Sequence, residues 1–159
     1  MKQNPFAADP DRSEIWEVVV RRDFEAFVAA DWSMTGPDFL EEEFQGIDGE
    51  KLPNPDHWRL RFPDLASYRD EWIRQAIEFK DVEFQGISKL DFLYQAGSLT
   101  GIEIKGQRAF VHKKFDGTAQ TVEGKSIRFL WQTLYFLKCV DGHWKVTGFV
   151  GYLPNPLAF

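Results

Sequence analysis

Asp23 is the residue whose type and place point most directly to chemistry. At about 100° per residue it falls in the middle of an apolar helical stripe, bracketed by Trp16, Val19, Val20 and Phe27. A carboxylate in such a place is costly unless it is paired, protonated or put to use. Two roles fit. It can be a general acid or base facing a pocket, or a structural carboxylate accepting hydrogen bonds from a loop or from Arg69. Tyr135, Trp131 and Tyr152 form the second group. They alternate on one face of two aromatic-rich strands, where a phenol supplies a hydrogen bond and an indole a flat wall. Together these residues predict Asp23 as proton carrier and Tyr135 as donor to a developing oxyanion. Trp16 and Phe27 on the first helix, Trp72 on a later one, and Trp131 and Tyr152 on the strands are the expected ligand walls. They suit a small apolar or ring-shaped ligand.

Other polar residues carry weaker signals. The three histidines, His57, His112 and His143, have no metal-ligand spacing, so no metal site is expected. Asp48, Asp56 and Trp58 lie in a long stretch punctuated by glycine and proline that can cover a pocket mouth. Glu41-Glu42-Glu43 reads as a helix surface. No nucleophile elbow, phosphate loop or dinucleotide fingerprint occurs, which counts against hydrolase, nucleotide and nicotinamide chemistry and leaves no cofactor implied.

The elements that must position these residues are organised around the stretch from Ser126 to Leu153. Asp141-Gly142 between two long β-rich runs predicts a hairpin with a type I′ turn. That turn pairs Val140 with His143, Cys139 with Trp144, Leu137 with Val146, Tyr135 with Gly148 and Trp131 with Tyr152. Phe129, Trp131, Thr133, Tyr135, Leu137, Cys139, Trp144, Val146, Val150 and Tyr152 then share an inner face. The opposite face carries Leu130, Leu134, Phe136 and Phe149, too much apolar surface to leave in water. A second copy is the economical cover, through an isologous contact. The alternative covers are residues 81–97 or the tail Pro154–Phe159.

Upstream, residues 1–10 read as an arm and 11–159 as one domain. A helix runs from a capping box at Asp11 and Glu14 to about Ala30. A short helix is expected over Asp38–Phe44, loop over 45–63, and a helix after Pro63 capped by Asp64, with Leu65, Tyr68, Trp72, Ala76 and Phe79 as its buried stripe. Residues 81–97 fit a loose helix or, over Leu90–Tyr94, a strand; helix is preferred. Strands follow over Leu99–Ile104 and Gln107–Phe115, then a polar loop over 116–125.

Composition bounds the rest. A chain of 159 residues suits a single domain, and an aromatic content of 16% predicts a core or cavity built from rings. The net charge of −6 without a basic stripe argues against nucleic acid and anionic membranes. One cysteine, Cys139, fits a reducing, cytoplasmic location and reads as a core residue. No stretch approaches a membrane span, and the N-terminus has no long apolar run.

Several local patterns resemble the nuclear transport factor 2-like superfamily. Phe27-Val28-Ala29-Ala30-Asp31-Trp32 is similar to the end of that family's first helix. Lys105-Gly106-Gln107-Arg108-Ala109-Phe110-Val111 is similar to its inner hairpin, and Asp141-Gly142-His143-Trp144-Lys145-Val146 to its final turn. The resemblance implies the cone-shaped α+β fold of ketosteroid isomerase, scytalone dehydratase and the SnoaL-like polyketide cyclases. In that fold three or four N-terminal helices pack on a curved four-stranded antiparallel sheet, with a hydrophobic pocket between them. It also implies a homodimer through the outer sheet face. Asp23 falls near the place of a helix tyrosine of ketosteroid isomerase, whereas that enzyme's two carboxylates find no counterpart. The implied function is a SnoaL-like pocket protein: a cofactor-free lyase or isomerase acting on an apolar carbonyl compound, or a non-catalytic ligand-binding or dimeric interaction domain.

Overall fold

Asp9, not Asp11, starts the first helix. Its extended backbone precedes Pro10, and its side chain accepts from the Arg12 N–H. Proline is preorganised for the first helical position, so the helix begins there. Asp11 and Glu14 are engaged elsewhere: Asp11 accepts from Trp144 Nε1 at 3.0 Å, and Glu14 from the Trp144 N–H at 3.2 Å. The structure is a computed structural model and describes residues 2–156. The rod that follows has three consecutive parts: α1 (Pro10–Trp16), a π-helical segment (Glu17–Arg22) and α2 (Asp23–Ala29). It stops at Ala30, which adopts a left-handed conformation with φ of 54°.

The expected helix over 38–44 is two 3₁₀ turns, Gly36–Asp38 and Glu41–Glu43. Between them Phe39 runs extended and bridges to Val146, and the Leu40 N–H donates to the Val146 carbonyl. The expected loop over 45–63 holds two strands, β1 (Gln45–Asp48) and β2 (Arg59–Phe62). Helix α3 (Leu65–Lys80) is capped by Asp64 as its sequence predicts, and Trp72, Ala76 and Phe79 are buried. Within 81–97, only α4 (Lys89–Ala96) is helical. Its cap is Ser88, while Phe84 upstream bridges to Thr121.

Four long strands complete the chain: β3 (Gly97–Lys105), β4 (Arg108–Gln120), β5 (Ser126–Val140) and β6 (His143–Leu153). Strand β4 continues through the first half of the expected polar loop because its register with β5 runs on to Gln120 and Ser126. Polar cross-strand bonds from Arg128 to Asp116 and Thr118 hold that extension. The molecule is α+β, but the sheet has six strands in the order β2-β1-β6-β5-β4-β3, and β1 lies parallel to β6. It is therefore mixed, not four-stranded and antiparallel. Nor do all helices precede the sheet: β1 and β2 interrupt them, and α3 is the one long uninterrupted α-helix among the described residues. Gly148 permits the parallel contact. A Cβ there would sit 2.4 Å from the Gln45 carbonyl oxygen.

The hairpin turn is as expected, with Asp141 and Gly142 both at positive φ. Its register holds to Leu137–Val146 and then slips. Thr147 is an extra residue, so Phe136 pairs with Gly148 and Tyr135 with Phe149. The slip turns Phe149 inward, where it is buried, and puts Val150 opposite Leu134 on the outer face. A second irregularity between Gln132 and Leu134 restores the original parity and keeps Tyr152, at φ of 57°, on the inner side. Phe149 thus leaves the expected dimer surface. Leu130, Leu134 and Phe136 remain on it, joined by Phe110, whose ring stacks on Phe136 at 5.6 Å. The last three residues of the tail lie outside the described residues.

The candidate site at Asp23 and Lys113

The inner face of the sheet and the helices α2, α3 and α4 line a partly open cavity of about 350 Å³. This is within the size range of small-ligand sites. Its apolar walls come mainly from Phe24 and Phe27 on α2, Phe79 on α3, and Phe115, Phe129, Trp131 and Phe149 on the sheet. Polar groups converge at one region: Asp23, Lys113, Tyr68, Tyr135 and Thr133, with Gln75 and Tyr152 further along.

Asp23 opens α2 directly after the π-helical segment. Its Oδ2 accepts from Lys113 Nζ at 2.8 Å, and its Oδ1 lies 3.4 Å from Trp72 Nε1, a long contact. The side chain of Lys113 is 1% exposed and that of Asp23 is 25% exposed. Lys113 stands on β4 among inward-facing Ala109, Val111 and Phe115. Its Nζ also donates to the Val19 carbonyl at 2.5 Å, within the π-helical segment. That segment widens the rod where the lysine meets it, a known use of π turns. Three rings surround the ammonium, with centres 4.5 Å (Phe24), 5.4 Å (Phe115) and 5.8 Å (Tyr135) away.

The phenols are tuned to stay neutral. Burial pushes Tyr68 and Tyr135 well above the ordinary tyrosine value, and the Asp23 charge adds to both. Neither hydroxyl has a hydrogen-bond partner among the described residues. Tyr152 is also raised, first by burial, and its hydroxyl sits 3.5 Å from Gln75. A raised phenol pKa in the fold means that the unfolded chain loses its protons first. Stability linked to Tyr68 and Tyr135 is therefore full below the ordinary value of 10.0 and falls as pH climbs towards the folded values. In an alkaline titration followed by phenolate absorbance, these two tyrosines should ionise only together with loss of the near-ultraviolet circular dichroism of the core. Ionisation within an intact fold would contradict this.

Solved structures with the same architecture bear on the fold. An NTF2-like protein of unknown function from Silicibacter pomeroyi aligns with a TM-score of 0.56 and 12% identity, over 91% of this chain and 97% of that one. A nuclear transport factor 2 superfamily protein from Salmonella enterica gives 0.58 and 13%, over 93% and 94%. An NTF2-like protein of unknown function from Pseudomonas putida gives 0.58 and 13%, over 93% and 89%. The chain has the nuclear transport factor 2-like fold. No protein-family model matches the sequence, and neither does any curated protein.

Within this fold, the cavity brings together Asp23, Tyr135, Phe27, Trp72, Trp131 and Tyr152. Trp16 is not among its lining residues. It is buried and stacks on Tyr94 of α4 at 6.4 Å, with the Arg21 guanidinium over its ring. The π-helical segment between Trp16 and Asp23 breaks the uniform 3.6-residue phase that had joined them. Arg69 is not the partner of Asp23 either; it bonds its neighbour Asp70. His112 turns to the outer face against Phe110, and exposed His143 meets Glu14. Asp48 is buried but is held by Arg61 at 3.0 Å and by the Glu50 N–H, outside the cavity lining. Among the described residues no cluster of His, Cys, Asp and Glu could hold a metal. No described helix is long and apolar enough to cross a membrane.

The residue that sequence reasoning missed is Lys113. The signal was present in the two-residue alternation of Ala109, Val111 and Phe115, which puts Lys113 in the same inward row. Tyr68 carries no signal in the sequence beyond its place in the buried stripe of α3.

Proposed function

We propose that the cavity binds a small apolar carbonyl compound and that Asp23 moves a proton on it, making the protein a cofactor-free isomerase or lyase. What supports this reading is the meeting, at one aromatic cavity, of the Asp23 carboxylate with the unpartnered hydroxyls of Tyr68 and Tyr135. The carboxylate takes a proton from the carbon next to the carbonyl. Tyr135, neutral at physiological pH, donates to the oxygen as charge develops there. Phe27, Trp72, Trp131 and Tyr152 hold the apolar body of the ligand.

The test needs no knowledge of the product. A panel of cyclic and aromatic ketones carrying deuterium next to the carbonyl is screened for binding by tryptophan fluorescence and for loss of deuterium by NMR. Catalysed exchange is expected, and Asp23→Asn should slow it by roughly 10²–10⁴-fold while leaving binding in place. Binding without exchange in the unaltered protein would leave the alternative, a non-catalytic ligand-binding domain.

The same reading includes a homodimer over the outer sheet face. Phe136 is 42% exposed there and stacks on Phe110, with Leu134 next along β5 and Leu130 beyond Gln132 on the same face. Sedimentation should give a dimer at micromolar concentration, and a monomer rejects it. A cytoplasmic location belongs to this reading too, supported by the lone thiol of Cys139.

A further inference from the structure

The geometry points to Lys113 as a second catalytic residue at this site: the counter-ion that Asp23 releases to the enolate oxygen when it takes the proton. The inference rests on the proton-transfer reading above and specifies which charge stabilises the intermediate. An ammonium has three N–H donors. In Lys113 one is used by Val19 O and one by Asp23 Oδ2, and the third has no oxygen acceptor among the described residues. It is a spare donor on a nearly fully buried cation that lines the cavity beside the free hydroxyls of Tyr68 and Tyr135.

The charges balance through the step. Before it, the Asp23 carboxylate offsets the Lys113 ammonium. The C–H bond next to the carbonyl then breaks and its proton goes to Asp23. The C–H electron pair becomes the C=C bond, and the carbonyl π pair moves onto oxygen. Asp23 is now neutral, the enolate carries the negative charge, and the ammonium has exchanged one anionic partner for another. The sum stays at zero in a site where an unbalanced charge is costly. Returning the proton from Asp23 to a different carbon restores the starting pair. The other titratable side chains lining the cavity are Tyr68, Tyr135, Tyr152 and Glu78. None of them supplies a positive charge.

Asp23→Asn imitates the neutral, protonated aspartate and leaves Lys113 without its anion. The probe is 4-nitrophenol, whose oxyanion resembles an enolate and whose ionisation is visible by absorbance. Bound to Asp23→Asn, it should ionise at lower pH than in water, with phenolate favoured over phenol by about tenfold or more. The preference should vanish in the double variant Asp23→Asn/Lys113→Met, whose paired neutral replacements protect folding. A probe that ionises no more readily on Asp23→Asn than in water overturns the inference and leaves the pocket reading standing. So does a phenolate preference that survives in the double variant. If neither the unaltered protein nor Asp23→Asn binds the phenol in any form, the pocket reading falls and takes this inference with it.

Discussion

Lys113→Met should lower the stability of the protein by about 2–3 kcal/mol, read as a lower denaturant midpoint at unchanged slope. Methionine is unbranched and nearly as long, so little packing volume is lost. What disappears is the ammonium. Val19 O loses its donor inside the π-helical segment, and Asp23 loses the cation at 2.8 Å. Removing one member of a fully buried pair costs about 3–5 kcal/mol. The figure here is smaller because the Asp23 side chain is 25% exposed and water in the cavity can rehydrate it. Adding Asp23→Asn should recover part of the loss, since the second change removes the stranded charge. A loss below about 1 kcal/mol for Lys113→Met would mean that water already solvates the pair.

Phe24→Ala should be still more damaging, by about 3–5 kcal/mol in chemical denaturation. Phe24 is 2% exposed and lies where three parts of the core meet. Its ring stands edge-on to Tyr94 of α4 at 5.3 Å and tilted to Phe115 of β4 at 5.9 Å, and Lys113 Nζ lies 4.5 Å from its centre. The chain closes onto it at Gly97, where a Cβ would come within 2.6 Å of the ring. That close fit leaves a real void when the ring is removed. Because Phe24 also lines the cavity, the void joins the ligand space. The variant should therefore accept bulkier ring compounds in the fluorescence assay. A loss under about 1.5 kcal/mol would show that the core closes over the gap.

Both residues show where reading the sequence succeeds and where it stops. Local features were legible because their causes are local. The Asp141-Gly142 turn follows from two residues that tolerate positive φ, and the Asp64 cap from one side chain and the N–H of Ser67. The inward row of β5 follows from alternation alone. Features created by distant partners were not legible. β1 looks like a loop between glycines and prolines until β6 is beside it, and Gly148 has no evident purpose until the Gln45 carbonyl fills the space where its Cβ would be. Phe149 changes face because Thr147 is one residue too many for the register, and nothing in the run itself announces a bulge.

The candidate site divides along the same line. The sequence by itself determined that an acidic residue sits among the apolar positions of the first helix, and that Trp131 and Tyr135 share a face of β5. Those are consequences of periodicity, 3.6 on one element and 2 on the other. Only the tertiary structure decided that Lys113 meets Asp23, that Tyr68 joins Tyr135 with a free hydroxyl, and that Trp16 faces α4 instead of the cavity. The physical reason is distance along the chain. Asp23 and Lys113 are 90 residues apart, and their pairing depends on the register of β4, the packing of α2 against the sheet and a π-helical segment that shifts the helix phase. Periodicity assigns a side chain to a face; packing alone decides which side chain stands opposite.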